Sequence, residues 1–171
     1  MKKRRILLIS LFVLLGMVIF NFWINSAYYA VHSKYTSQDE VPGVIIDHLD
    51  DIMIGVRNER FGDYFLQVDG SSSIDYKFSE EGEKSLDNIG GYKGSYFYTK
   101  SKNGVTYIYN LDKKMKILSI STMDNEIHKV TPKDQDEVKK DLYELVKPLL
   151  KRVTKPFINL QWLYDFIFRK Y

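Results

Sequence analysis

Residues 94–111, GSYFYTKSKNGVTYIYNL, alternate apolar with polar side chains on both sides of Lys102-Asn103-Gly104. A period of two is the mark of a strand facing two environments, and Asn-Gly between two such runs is the strongest short-range hairpin signal, because both residues tolerate the positive φ of a tight turn. On these strands Tyr96 and Tyr98 share one face and Phe97 takes the other, while Tyr107 and Tyr109 share a face across the turn. With Tyr92 close by, such a set is either a half-buried ladder beneath a helix, the favoured reading, or an open stacking platform for sugars or an extended peptide.

The same period recurs on either side. DYFLQVD (63–69) and SIDYKFS (73–79) flank the turn-rich Asp69-Gly70-Ser71-Ser72, and KILSIST (116–122) and EIHKV (126–130) follow the central hairpin. SEEGEKSLDNIGG (79–91) reads as a polar excursion with one helical turn. Five or six short strands with short connections form a mainly antiparallel meander.

Two stretches carry the helical period instead. Over 44–60, Ile45, Ile46, Leu49, Ile52, Met53 and Val56 gather on one stripe, with Asp47, His48, Asp50, Asp51, Asn58 and Glu59 opposite. Thr131-Pro132-Lys133-Asp134 is a helix start, and Val138, Leu142, Leu145, Val146, Leu149, Leu150 and Val153 continue it to about Lys155, kinked at Pro148 on the polar side. The predicted fold class is α+β: an amphipathic helix packed on a five- or six-stranded antiparallel meander sheet, with C-terminal helices and an N-terminal transmembrane helix.

That transmembrane helix rests on Ile6–Ile24, nineteen residues in which only Ser10 and Asn21 are polar. As a helix it is about 28 Å long, close to the roughly 30 Å hydrocarbon thickness of a bilayer. A cleaved signal peptide is the competing reading, but its apolar segment is usually shorter, and cleavage after Ala27 or Ala30 would put Asn25 or Tyr28 where a small residue belongs. Lys2, Lys3, Arg4 and Arg5 precede the span, and the next positive charge is Lys34. The positive-inside bias therefore places the N-terminus in the cytoplasm and everything from about Asn25 outside, with Trp23, Tyr28 and Tyr29 at the interface. The expected organisation is a basic tail and anchor (1–30), a linker (31–42), an extracytoplasmic α+β domain (43–155) and an aromatic C-terminal helix (156–171).

The chain has 171 residues and a formal charge of only +3, which excludes a strongly basic nucleic-acid binder. No cysteine is present, so disulfide scaffolds, thiolate metal sites and cysteine nucleophiles are excluded. Nineteen lysines against six arginines, with two alanines, suit a low-GC Gram-positive bacterium. Residues 31–130 are mildly acidic at −4, and 131–171 are basic at +3.

The basic residues Lys139, Lys140, Lys147, Lys151, Arg152 and Lys155 lead into PFINLQWLYDFIFRKY (156–171). As one helix, this segment carries two apolar stripes: Phe157, Leu160, Leu163, Tyr164, Ile167, Phe168 and Tyr171 on one, and Ile158, Trp162 and Phe166 on the other. A surface helix needs one stripe, so two imply a helix held between its own domain and a membrane or protein partner. Phe157, Ile158, Trp162, Phe166, Lys151, Arg152 and Lys155 are the candidate contact residues.

Chemistry has less support. His32, His48 and His128 form no metal-binding spacing. Asp47 and Asp51, four apart in DHLDD, could share a hard cation beside His48 or Asp50, but one helix face supplies too few ligands, and a solvated polar face is expected. No nucleophile elbow, Ser-x-x-Lys or phosphate-binding glycine motif occurs, so no catalytic residue, metal or cofactor is assigned. The expectation is a single-pass cell-membrane protein whose bulk is extracytoplasmic. It would act as a non-catalytic interaction module, an accessory or regulatory subunit of a bacterial envelope complex with a membrane-protein partner and no nucleic acid. An immunity or phage-exclusion protein, and a small envelope enzyme using Asp47, His48 or Asp51, are the alternatives.

Overall fold

A computed structural model describes residues 2–53, 57–69, 71–76, 87–102 and 104–169. The apolar N-terminal stretch forms α1 (Lys2–Ile24), and none of Arg4–Ile24 is buried, so this helix is long and apolar enough to cross a membrane. The chain bends at Asn25, whose side-chain amide donates to the Asn21 carbonyl at 2.7 Å, and continues as α2 (Ser26–Val31). A 3₁₀ turn (Gln38–Glu40), held by a Ser37/Glu40 capping box, leads into α3 (Val41–Asp47) and α4 (Leu49–Ile52).

Eight strands follow: β1 (Asn58–Phe61), β2 (Tyr64–Asp69), β3 (Ser71–Tyr76), β4 (Asp87–Tyr92), β5 (Ser95–Lys102), β6 (Val105–Asp112), β7 (Ile117–Thr122) and β8 (Ile127–His128). They pair in sequence order as one antiparallel sheet. The chain ends with α5 (Pro132–Leu150) and α6 (Gln161–Ile167).

One cross-strand row, Leu66, Ile74, Ile89, Tyr98, Tyr109, Ile120 and His128, runs across the sheet. The row lies on the face covered by α3 and α5, and its members from Leu66 to Ile120 pack with Ile45, Ile46 and Leu49 and with Val138, Leu142, Val146 and Leu149 into one core. The other face carries Ser73, Asp75, Asn88, Thr99, Asn110 and Ser119, as period-two patterning requires when only one face is covered.

The tyrosines are the buried ladder and not the open platform. Tyr96 and Tyr98 are buried, Tyr107 and Tyr109 half-buried, and the rings of Tyr98 and Tyr109 stack at 5.7 Å. Burial, then the carboxylates of Asp87 and Asp141, push the Tyr98 hydroxyl up from its ordinary pKa. Lys100, on the same face, reaches Glu137 at 3.0 Å and Asp141 at 2.5 Å on α5, clamping helix to sheet.

The sequence reading undercounts the strands. β1 lies in the stretch whose period predicts a helix over 44–60, yet the helical part starts earlier, at Val41, breaks at His48 and ends at Ile52. Asn58 is already paired with Gln67, so sheet pairing overrides the local period. Val56 of the expected stripe lies outside the described residues. β4 falls in the expected polar excursion, whose residues 79–86 are also outside the described set. DNIGGY looks unlike a strand because packing demands its glycines. A Cβ on Gly90 would sit 2.7 Å from the Phe97 ring, and Gly91 has φ +144° with Ser95 O only 2.4 Å from where a Cβ would be.

The helix start at Thr131 forms as the sequence predicts, and Asp134 completes a capping box: the Thr131 hydroxyl accepts from Asp134 N, and the Asp134 carboxylate accepts from Thr131 N. α5 ends at Leu150, short of Lys155, and residues 151–160 turn back toward the start of the chain.

Candidate functional site

Residues 156–168 do not form the single helix that two continuous stripes imply. Only Gln161–Ile167 is helical, and its start is set by the Asn159 side chain, which accepts from Gln161 N at 3.0 Å. Phe157 precedes the helix, so it leaves the inner stripe and is fully exposed, at 101%. Leu160 is buried and Tyr164 half-buried against α2, whereas Trp162 and Phe166 stay exposed at 69% and 71%. Lys170 and Tyr171 lie outside the described residues.

The node of this region is Tyr29, which is completely buried. Its hydroxyl donates to the Ile158 carbonyl at 2.8 Å, and accepts from Leu160 N and from the Asn21 side-chain amide, each at 3.3 Å. Its ring stacks on Phe22 at 5.4 Å and on Tyr164 at 6.0 Å, and its carbonyl accepts from the Gln161 amide at 2.9 Å. Asn21, within α1, also donates to the Ile158 carbonyl at 3.0 Å, and Ser33 donates to Asp165 at 2.8 Å. The C-terminal segment is therefore bonded to the last turn of α1, to Tyr29 of α2 and to Ser33 just beyond it. Burial, with the nearby carboxylates of Asp165 and Asp51, pushes the Tyr164 hydroxyl up to about 12.

These bracing residues were missed by sequence reading, although each left a trace. Asn21 is one of two polar residues in the span, Tyr29 was assigned to an interfacial belt, and Gln161 and Asp165 are the i, i+4 pair that splits the two stripes. Of the basic candidates, Lys151 and Lys155 are exposed. Arg152 is half-buried and bridges to Glu59 on β1 at 3.0 Å, which makes it a structural tie.

The acidic cluster separates. Asp47 accepts from Lys93 N at 2.8 Å and from the Tyr96 hydroxyl at 2.6 Å, fastening α3 to the β4–β5 turn. Asp51 instead accepts from Ser26 at 2.5 Å and from His48 Nδ1 at 2.9 Å, fastening α4 to α2. The two aspartates thus serve different contacts. Among the described residues no group of three or more His, Asp or Glu is placed to hold a metal ion.

Ser26, His48 and Asp51 have the composition of a catalytic triad without its wiring. In a proton relay the carboxylate and the hydroxyl bind opposite imidazole nitrogens. Here both approach Nδ1, and the Ser26 proton is directed at Asp51. Burial opposes the charged form of Asp51, but the hydrogen bonds from His48 and Ser26 outweigh it and hold the carboxyl below its ordinary range. The other histidines lie apart: His32 stacks on Tyr28 at 4.1 Å, and His128 meets the edge of Tyr107 at 5.5 Å.

A groove of about 280 Å³ runs between the 3₁₀ turn and α5, floored by Pro42, Met115 and Leu142 and rimmed by the Lys139–Asp39 ion pair. It is open and converges no polar groups beyond that pair and its neighbours. Compared with models of protein families, with curated proteins and with solved structures, the chain matches none.

Proposed function

We propose that the protein is a membrane-anchored extracytoplasmic interaction module without catalytic chemistry, serving as an accessory or regulatory subunit of a bacterial envelope complex. α1 stays in the lipid, the N-terminus is cytoplasmic, and the α+β body stands outside against the membrane. The observation that carries this reading is the burial of Tyr29 five residues after the apolar helix ends. Signal cleavage after Ala27 or Ala30 would cut α2 away from the domain it completes, removing Ser26 from Asp51 or Tyr29 from Ile158 and Leu160. A removable leader has no reason to be built into the fold it delivers.

A body joined to its anchor by a bonded elbow is held at one distance from the membrane and in one orientation. That is useful to a subunit that must meet another membrane protein, because prepaid orientation lowers the cost of association. The test is cross-linking of exported lysines in intact cells with a membrane-impermeant reagent, followed by capture through an N-terminal tag. The expected result is one cross-linked species of fixed stoichiometry containing a second membrane protein. A chain that is exported and folded yet recovered only as itself contradicts the reading.

A further inference from the structure

We infer that the segment from Phe157 to Phe166 is a second membrane contact, with Phe157, Trp162 and Phe166 seated in the headgroup–acyl boundary of the leaflet on the body's side. The inference rests on α1 spanning the bilayer, and it adds an occupant for the exposed aromatic face: lipid. Depth is the argument. Asn21 binds the Ile158 carbonyl and lies three residues before Ile24, about 4.5 Å inside the end of α1 at 1.5 Å per residue. Tyr164 is held beside Phe22, its ring centroid 6.0 Å away. The apolar run is only about as long as a bilayer is thick, so a loop bonded level with Asn21 lies at the edge of the hydrocarbon.

The side chains presented there suit that boundary. Phe157 is fully exposed, and Trp162 and Phe166 are about as exposed as Trp23 and Phe20 on the adjoining lipid-facing helix, at 68% and 59%. The aromatic face belongs to the segment that the Asn21–Ile158 bond and the Phe22–Tyr164 ring contact hold beside α1. Its opposite side, through Leu160, Tyr164 and Asp165, is occupied by Tyr29 of α2 and by Ser33. Exposed Lys151, Lys155 and Arg169 flank the segment in the chain, where cations meet anionic headgroups. An aromatic, short amphipathic element with flanking cations is the composition of an interfacial contact.

The protein contains two tryptophans, Trp23 and Trp162, so each can be made the only one. The full chain is reconstituted into nanodiscs of phosphatidylcholine and phosphatidylglycerol, with lipid brominated either near the headgroup or near the bilayer centre. In Trp23→Phe, Trp162 is expected to emit in the blue and to be quenched at least about two-fold more by the shallow bromines than by the deep ones, as an interfacial residue should be. In Trp162→Phe, quenching of Trp23 reports the spanning helix independently. Phe157→Ser with Phe166→Ser, added to Trp23→Phe, should lower the quenching of Trp162 severalfold while leaving the half-buried Tyr164 face intact. Quenching of Trp23 with water-like, unquenched Trp162 overturns the inference and leaves the anchor standing, pointing to a protein partner for this face. If neither is quenched, the spanning reading falls as well.

Discussion

Tyr29 shows how much one side chain can join. Its ring fills the elbow between α1, α2 and α6, and its hydroxyl serves one acceptor and two donors, so the ring and the hydroxyl are separable by mutation. Tyr29→Phe keeps the packing and leaves the Ile158 carbonyl and Leu160 N–H without that partner. The expected cost is about 1–2 kcal/mol of unfolding free energy, measured on the full chain in micelles. Susceptibility to protease should increase most over residues 151–160. Asp51 makes a second, pH-dependent join. Its folded pKa lies below the ordinary aspartate value of 3.8, so its contribution is complete above about pH 4 and is lost as pH falls through the lowered value. Asp51→Asn is expected to lower stability at neutral pH and to flatten this acid limb, which thermal unfolding across pH 2.5 to 6 would register. An unchanged acid limb would show that Asp51 is not the group responsible.

At the scale of elements, α5 is both the best-signalled and the best-fastened helix. Thr131→Ala removes the cap of Asp134 N and should cost about 1 kcal/mol, readable as a lower melting temperature with the sheet's amide protection retained. The Lys100 clamp has a pH window. Glu137, with Lys100 beside it, titrates below 4.5, and Lys100 above 10.5, so the clamp holds between those values and weakens outside them. Most strands and this helix could be read because their periods are regular and their turns and caps use residues suited to them. β1 and β4 could not. Asn58–Phe61 continues a helical-looking pattern and becomes a strand only through pairing with β2, and the glycines of β4 record a close approach to Phe97 and Ser95 that only three dimensions reveal. The C-terminal segment was half readable. Its two stripes anticipated an inner and an outer face: Leu160 and Tyr164 turn inward and Trp162 and Phe166 outward, but Ile167 and Phe168 of the inner stripe are exposed, and the shift of Phe157 out of helix depends on the Asn159 turn and the bonds to Tyr29. The elbow itself is made of contacts between residues more than a hundred positions apart, which no local period encodes.

For the whole molecule, the consequence of the elbow is orientation. A flexible linker after a span would let a domain tumble, whereas here both ends of the body return to the same helix terminus, α2 directly and α6 through Tyr29 and Ser33. On the proposed reading the mildly acidic body is kept beside a basic, aromatic C-terminal surface that faces the membrane, and a partner would meet it in that one pose. The most direct measurement of this account is protease shaving of intact cells expressing the chain with an epitope ahead of Lys2. The account predicts that the body is digested while a short membrane-bound fragment carrying the epitope survives. A body untouched by protease on intact cells, or recovered free in the medium without its first thirty or so residues, would contradict it.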